Sequence, residues 1–358
     1  MSEMRAARYY GVKDIRVEDV PAPDPERLGS TQVLIEPRWC GICGTDLHEY
    51  VAGPIVTPTE PHPLTGTQLP QILGHELSAD VVAVGSAVEK VRPGDRVSIM
   101  PLAYCGECDF CVRGLNHLCV KMGCVGLSWE WGGLANAAVV ESYQAWPLPD
   151  EVSYEQGALI EPAAVAAWGV ARAGVQPGDR VLVTGAGPIG ALAVLAARAA
   201  GAGEVYLSEP NPRRAARAEP LGATAAFDPT RTDVAAELRE RTGGLGVDVA
   251  IECAGNEPAL RACLDGTRAR GTISQVGLHV KDAAFNAMDL AERELTLVGN
   301  WCYSVHDWPR ITAMVASGAF PVERAVSDRT TLEETVEAGF ERLIDPEGDQ
   351  IKILVATR

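Results

Sequence analysis

Val181-Leu-Val-Thr-Gly-Ala-Gly-Pro-Ile-Gly190 joins a short apolar run to an Ala-rich run that continues to Ala200. We expect a buried strand, a tight turn and a helix, the context in which a G-x-G-x-x-G pattern indicates a dinucleotide site. The first glycine permits the turn, the second lets backbone amides approach a pyrophosphate, and the third lets the helix pack closely on the sheet. The residues predicted to contact the dinucleotide here are Gly185, Gly187, Pro188, Ile189 and Gly190. The alternative is a structural glycine turn that binds no nucleotide.

A carboxylate follows this motif at the spacing that a dinucleotide site needs. Glu209 comes directly after the predicted strand 204–208, about 20 residues beyond the motif, where a carboxylate can bind both ribose hydroxyls of NAD. It would repel a 2′-phosphate. Arg213 and Arg214 point the other way, because a nearby arginine can accept that phosphate. We include Arg214 in the predicted cofactor site, together with Val276 and Gly277 after a later strand.

The rest of the chain is consistent with two domains, the usual prior for 358 residues. Strands alternate with helical stretches from about residue 154, and 247–251 and 271–276 are further strands, which predicts a doubly wound parallel sheet. We expect a helix over 213–219, ended by a proline. The segment before residue 154 is β-rich, with strands at 33–39 and 78–84. The final segment mixes helix and strand and ends in a strand at 351–355.

Composition excludes several classes of function. The chain is 47% hydrophobic and 22% charged, as in soluble globular proteins, and its net charge of −17 argues against nucleic-acid binding. That charge favours a neutral substrate over an anionic one. No apolar run suits a membrane span, and the charged N-terminal stretch lacks the apolar core of a signal peptide. We therefore expect a cytoplasmic protein whose ten cysteines are thiols or metal ligands, and not disulfides.

Four cysteines are clustered in fifteen residues. The segment Cys105-Gly-Glu-Cys108-Asp-Phe-Cys111 is followed by Cys119, and this spacing predicts a closed, tetrahedral and purely structural zinc site. An iron–sulfur cluster is an alternative, although the fourth spacing does not match the ferredoxin patterns. Four unligated thiols packed so closely are a further alternative.

Two short segments offer the ligands of a second zinc site. Cys40-Gly-Ile-Cys43-Gly-Thr-Asp-Leu-His48 and Gly74-His75-Glu76 contain a thiolate, imidazoles and a carboxylate. A catalytic zinc site uses three protein ligands and keeps one position open. Thr45 and His48 could carry a proton away from that position. The alternative is a pair of buried cysteines beside an ordinary loop histidine.

Taken together, these motifs resemble those of the zinc-dependent medium-chain alcohol dehydrogenases over nearly the whole chain. The resemblance implies a chaperonin-10-like β-rich catalytic domain at 1–155 and 300–358, with a Rossmann NAD-binding domain at 156–299. It implies that Cys43 and His75 bind a catalytic zinc, and that Glu76 and Glu161 do so directly or through water. Each chain would then hold two zinc ions. Thr45 matches the hydroxyl of the family's proton relay and His48 its outer histidine.

Within this family, three stretches most closely resemble the branch that acts on (R,R)-2,3-butanediol. They are Cys40 to Tyr50, Gly53-Pro-Ile55 and Pro61-His-Pro-Leu-Thr-Gly66, while Leu159-Ile-Glu-Pro162 is shared with sorbitol dehydrogenases. The resemblance implies NAD-dependent oxidation of a small neutral vicinal diol, or reduction of a hydroxyketone such as acetoin, by a homodimer or homotetramer. The alternatives are a polyol or threonine dehydrogenase, and a non-catalytic nucleotide-binding or structural protein on the same scaffold.

Four further side chains bear on the choice of substrate. Trp129 and Trp131 stand where relatives carry small residues, so their bulk could narrow the substrate pocket. Glu49 would add negative charge to the site if it faced the metal. The role of His306, in a segment where relatives line the active site, stays open.

Overall fold

The computed structural model describes residues 3–217 and 219–358. The predicted fold class, a β-rich domain combined with a doubly wound parallel sheet, is confirmed. The strands are β1 (Glu3–Gly11), β2 (Asp14–Pro21), β3 (Gln32–Gly41), β4 (Gln71–Ile72), β5 (Glu76–Val84), β6 (Arg96–Ile99), β7 (Leu102–Ala103), β8 (Gly123–Cys124), β9 (Ala138–Glu141), β10 (Ala145–Pro147), β11 (Arg180–Thr184), β12 (Glu204–Ser208), β13 (Ala225–Phe227), β14 (Val247–Glu252), β15 (Thr267–Gln275), β16 (Thr296–Gly299), β17 (Val326–Thr331) and β18 (Lys352–Ala356). The α-helices are α1 (Gly44–Ala52), α2 (Asp109–Val112), α3 (Tyr154–Ala173), α4 (Pro188–Ala199), α5 (Pro212–Ala215), α6 (Val234–Arg241), α7 (Glu257–Gly266), α8 (Met288–Arg293), α9 (Trp308–Ala316) and α10 (Glu341–Ile344), and a π-helix (Thr335–Phe340) precedes α10.

The parallel sheet has the strand order of a Rossmann fold. Its six strands run β13-β12-β11-β14-β15-β16 and every neighbouring pair is parallel. Thr184 at the end of β11 is in register with Ser208 of β12 and Glu252 of β14. The carboxyl ends of these strands therefore meet at one edge, where ligands of open α/β sheets bind.

The second large sheet is mainly antiparallel and brings distant segments together. Its main path is β10-β6-β5-β3-β18-β17, and β9 also pairs with β3. Gly41 at the end of β3 faces both Glu76 at the start of β5 and Leu354 of the C-terminal strand β18. Three segments that are far apart in the sequence thus converge beside Cys43.

Helix α3 connects the two sheets. Ser153 and Gln156 form a reciprocal capping box at its start, and Gly174 in a left-handed conformation ends it. The helix contacts β3, β5 and β6 of one sheet and β14 and β15 of the other. Glu161 is a buried residue of this helix, and His75, Glu76 and Lys352 are among the charged groups near it.

Most predicted elements are confirmed within a few residues. The strand predicted at 204–208 has those bounds, and the one predicted at 271–276 is longer and begins at Thr267. The helix predicted at 213–219 is wrong in extent, because α5 ends at Ala215; Ala218 of the predicted helix, like Met1 and Ser2, lies outside the described residues. The domain boundaries after 155 and 299 stay predictions. Across the described ranges, no helix combines the length and apolarity needed to cross a membrane.

Candidate active site

The predicted catalytic ligands Cys43, His75 and Glu76 lie together. One ligand atom from each falls within 4.8 Å of the others. Cys43 caps the start of α1, two residues after β3 ends, while Glu76 begins the neighbouring strand β5 and His75 directly precedes it. His75 and Glu76 are buried, and Cys43 is half-buried. Sulfur, nitrogen and oxygen donors at this spacing fit a zinc ion that keeps an open position.

Asp46, which the sequence analysis overlooked, supports this group from behind. Its Oδ2 accepts a hydrogen bond from the Cys43 amide at 2.9 Å, and its Oδ1 lies 3.5 Å from His75 Nδ1. Asp46 is fully buried, and neither Oδ1 nor His75 Nδ1 has a hydrogen bond to another described residue. An N–H on Nδ1 directed at this carboxylate would leave Nε2 free for a metal, as in carboxylate–histidine–zinc sites. Its position three residues into α1, as the second half of a capping box, was the signal that could have revealed it.

Lys352, also not foreseen, holds Glu76 in place. Its Nζ lies 2.5 and 2.7 Å from the two Glu76 oxygens and 2.8 Å from the Ile42 carbonyl oxygen, and both side chains are fully buried. Burial, the largest single effect, opposes the charge on Lys352, but the charges of Glu76, Cys43 and Glu161 and the hydrogen bonds to Glu76 together raise the pKa of Lys352 above its ordinary value. A Cβ on Gly41 would lie 2.1 Å from Glu76 Oε2, so glycine is required opposite this carboxylate. Glu76 therefore pairs with the buried ammonium of Lys352 while it also lies beside the other two candidate ligands, Cys43 and His75.

Glu161 lies near the ligands but outside their group. Burial, with a contribution from the nearby charge of Glu76, raises the pKa of Glu161 to about 7 despite the opposing charge of His75. The Tyr303 hydroxyl is buried without a hydrogen bond to the described residues, and burial, followed by the Glu161 charge, raises the pKa of Tyr303. Direct ligation of zinc by Glu161 stays a prediction.

Thr45 and His48 lie on the exposed side of the same site. The Thr45 hydroxyl is 3.8 Å from Cys43 Sγ. His48 follows one turn later on α1, so the two side chains share one side of the helix. Both are half-buried. Thr45 therefore lies beside one of the candidate ligands, and His48 follows it on the same side of α1.

The four clustered cysteines converge as predicted. Their sulfur atoms lie within 4.8 Å of one another, with Cys105 Sγ 3.5 Å from Cys119 Sγ and 4.0 Å from Cys111 Sγ. Zn–S bonds of about 2.3 Å in a tetrahedron place sulfurs roughly 3.8 Å apart. Backbone amides of Cys111 and Val120 lower the pKa of Cys108 to about 6, which favours the thiolate that zinc needs. The cluster fits a closed zinc site.

The glycine motif fits a dinucleotide. A Cβ on Gly190 would lie 1.8 Å from the Gly185 carbonyl oxygen, so only glycine fits at this position in the first turn of α4. A Cβ on Gly187 would meet nothing within 4 Å, which leaves open space at the N-terminus of α4. A pyrophosphate in that space would face free backbone amides. Pro188 and Ile189 form the first turn of α4, as the motif predicts.

The predicted ribose carboxylate lies at the same edge. Glu209 is buried, and its oxygens accept hydrogen bonds from the Ala186 amide at 2.6 Å and the Asn211 amide at 2.8 Å. The Arg214 side chain follows on α5, and its Nε is buried without a hydrogen bond to any described residue. Val276 and Gly277, just beyond β15, donate their amides to the Glu252 carbonyl oxygen at the ends of the strands.

Four side chains considered for the substrate site lie elsewhere. Trp129 and Trp131 line a cavity of about 690 Å³ together with the loop 21–28, and none of the residues lining it belongs to the zinc group. The His306 ring lies beside Gly114 in the lobe of the four cysteines. The Glu49 carboxylate accepts hydrogen bonds from the amides of 55–57 and so anchors a loop. The bulk of Trp129 and Trp131 thus borders a cavity whose lining does not include Cys43, His75 or Glu76.

Comparison with known proteins agrees with this arrangement. Residues 29–150 match the family described as alcohol dehydrogenase GroES-like domain, and residues 188–317 match the zinc-binding dehydrogenase family. The chain is 41% identical to the (R,R)-butanediol dehydrogenase of Bacillus subtilis (strain 168) over 98% of its own length and 99% of that protein. It superposes on a crystal structure of 2R,3R-butanediol dehydrogenase from Bacillus subtilis with a TM-score of 0.92 and 40% identity, covering 99% and 100% of the two chains. A zinc-binding dehydrogenase from Sinorhizobium meliloti 1021, bound to NADP, superposes with a TM-score of 0.89 and 32% identity, covering 99% and 100%.

Proposed function

The chain belongs to the zinc-dependent alcohol dehydrogenase family and is therefore an oxidoreductase acting on CH–OH groups, and from this premise we propose that its substrate is a small vicinal diol. The substrate that we propose is (R,R)-2,3-butanediol, with acetoin or diacetyl as the substrate of the reverse reaction. The observation that carries this choice is a buried carboxyl group, Glu161, beside the ligand group but outside it. A diol has one hydroxyl for the metal and a second for this acceptor. A simple alcohol would leave the buried acceptor unpaired, at a cost of about 1–3 kcal/mol.

The same sites have defined tasks in this proposal. Cys43, His75 and Glu76 would hold the catalytic zinc, and the glycine turn would hold the dinucleotide. When bound, zinc supplies a Lewis acid and the nicotinamide accepts a hydride. The protein's own contribution is to hold the substrate carbinol carbon next to the nicotinamide and to exclude water from the space around the ligand group.

A proton must leave the substrate hydroxyl, and Thr45 and His48 are placed to remove it. Thr45 Oγ1 lies beside the ligand sulfur, where it can accept a hydrogen bond from a hydroxyl in the open position. His48, one turn further along α1, can pass the proton to solvent. Loss of the Thr45 hydroxyl should therefore lower kcat much more than it changes cofactor binding.

We propose NAD as the cofactor. Glu209 directs a buried carboxylate at the place where the ribose of a dinucleotide would lie, and its charge would oppose a 2′-phosphate. We also propose that the protein resides in the cytoplasm, because the four thiols of the structural site must stay reduced to bind zinc.

The homo-oligomer that we propose forms through β16. This strand ends the parallel sheet, and among the described residues it pairs with β15 alone. Large apolar side chains are exposed near it, including Leu278, Leu297 and Trp301. A second copy related by a two-fold axis could pair its own β16 with this edge. Light scattering should give at least a dimer, and Leu297→Lys should shift it toward the monomer; a wild-type monomer would contradict this assignment.

Side-by-side kinetics test the substrate and the cofactor. We expect kcat/KM to be highest for (R,R)-2,3-butanediol with NAD, with sorbitol at least about tenfold poorer and simple alcohols about 10- to 100-fold poorer. Glu161→Ala should narrow the difference between the diol and 2-butanol, because it removes the acceptor for the second hydroxyl. If sorbitol or threonine were the best substrate, the diol assignment would be wrong.

A further inference from the structure

Asn211 joins the ribose-recognition turn to a segment near the C-terminus. Its backbone N–H donates to Glu209 Oε1 at 2.8 Å, and its side-chain oxygen accepts hydrogen bonds from the backbone amides of Arg213 and Arg214 at the start of α5. Its side-chain Nδ2 donates to the carbonyl oxygens of Pro346 and Gly348, at 3.0 and 2.8 Å. One side chain therefore fixes the turn after β12 from both sides.

The same C-terminal segment binds two arginines that follow Glu209. The Arg213 guanidinium donates to the Glu347 carbonyl oxygen at 3.0 Å, and the Arg217 guanidinium lies 2.6 Å from Asp349 Oδ2. Residues 346–349 lie between α10 and β18 and so belong to the part of the chain that also forms the seven-stranded sheet. Positive charge that could accept a 2′-phosphate is thus directed at this segment, while the carboxylate of Glu209 stays at the glycine turn.

We propose that Asn211 is a positioning residue that determines cofactor specificity. By holding residues 346–349, it keeps Glu209 directed at the ribose hydroxyls and keeps Arg213 and Arg217 away from the 2′ position. The proposal rests on the proposed use of NAD. It assigns the preference to a contact between two parts of the molecule as well as to the carboxylate itself.

The direct test measures binding of cofactor fragments, which needs neither zinc nor a known alcohol. ADP-ribose and 2′-phospho-ADP-ribose are titrated calorimetrically into the wild type and Asn211→Ser. Serine keeps a capping oxygen for α5 but removes the amide donor to residues 346 and 348. Since the two hydrogen bonds that hold residues 346–349 are lost, Glu209 is less firmly positioned, and we expect roughly tenfold weaker binding of ADP-ribose. Binding of 2′-phospho-ADP-ribose should stay equal or become tighter. The ratio of the Kd for 2′-phospho-ADP-ribose to the Kd for ADP-ribose should therefore fall about tenfold or more.

Two further variants separate specificity from a merely structural effect. Asn286→Ser makes the same substitution at a residue that caps the start of α8, and it should change neither constant. Adding both Arg213→Ala and Arg217→Ala to Asn211→Ser should bring the ratio back toward the wild-type value, because both released charges are gone. With saturating NAD, kcat of Asn211→Ser should stay within about twofold of the wild type.

An unchanged ratio in Asn211→Ser would overturn the proposal, whether both fragments bind equally more weakly or neither changes. If that variant does not fold, Asp349→Asn decides, since it frees Arg217 without touching α5. It should lower the ratio about threefold, as expected for an exposed ion pair, and an unchanged ratio would again overturn the proposal. A wild type that prefers 2′-phospho-ADP-ribose would instead contradict the proposed use of NAD.

Discussion

Lys352→Met should destabilise the protein strongly, and more so without metal. Lys352 and Glu76 form a fully buried ion pair. The substitution removes the ammonium and leaves the buried Glu76 carboxylate without its cation. Breaking a buried pair in this way costs about 3–5 kcal/mol, because the remaining charge is desolvated and uncompensated. The Ile42 carbonyl oxygen also loses its donor, which adds roughly 1 kcal/mol. We therefore expect the free energy of unfolding of chelator-treated protein to fall by an amount near the upper end of that range.

Zinc should reduce this loss. A cation bound by Cys43, His75 and Glu76 would compensate part of the charge that Lys352 no longer meets. Guanidinium unfolding followed by far-UV circular dichroism, with and without chelator, measures both values. The double variant Lys352→Met/Glu76→Gln is the control, since a neutral pair has no charge to compensate and should recover most of the stability while binding zinc more weakly. A loss under about 1 kcal/mol for Lys352→Met in metal-free protein would refute this reasoning.

Three further predictions concern the metal sites. Cys43→Ser should abolish turnover while ADP-ribose still binds with wild-type affinity, because the glycine turn lies on the other sheet; near-normal kcat would show that Cys43 is not a ligand. Cys119→Ser should lose one zinc per chain and melt early, since a four-thiolate site contributes directly to folding; two zincs with an unchanged Tm would contradict the structural site. Asp46→Asn keeps the capping oxygen for Cys43 but removes the charge beside His75, so zinc affinity measured by competition with a chelator should fall about 10- to 100-fold, and unaltered affinity would exclude that role.

The parts of the site that the sequence predicted are those built from local spacing. The glycine motif, the four cysteines, and the pair His75-Glu76 are each contained in a few consecutive residues. Their geometry follows from a turn or from the start of a strand, so the residue types alone indicate the chemistry. That the second half of the chain forms a parallel sheet followed equally from the alternation of strands and helices, although the order of its strands did not.

The parts that were missed depend on contacts across the chain. Lys352 is 276 residues from Glu76, and Asn211 is 137 residues from Gly348. No local pattern marks either pair, because an isolated lysine in a strand is usually exposed. Glu49 and Trp129 show the converse error. Their neighbours in the sequence suggested the active site, but the helix face of Glu49 and the bend before β9 direct both side chains elsewhere.

The position of β18 has a consequence for biosynthesis. This strand is the last of the chain, yet it lies inside the seven-stranded sheet, between β3 and β17. The parallel sheet is formed by the continuous segment 180–299, and it can be completed while the ribosome is still translating the C-terminal sixth of the chain. The other sheet stays open along β3 until residues 352–356 have been translated, and only then can Lys352 reach Glu76. The candidate catalytic centre is thus completed after the parallel sheet, once β18 has joined β3.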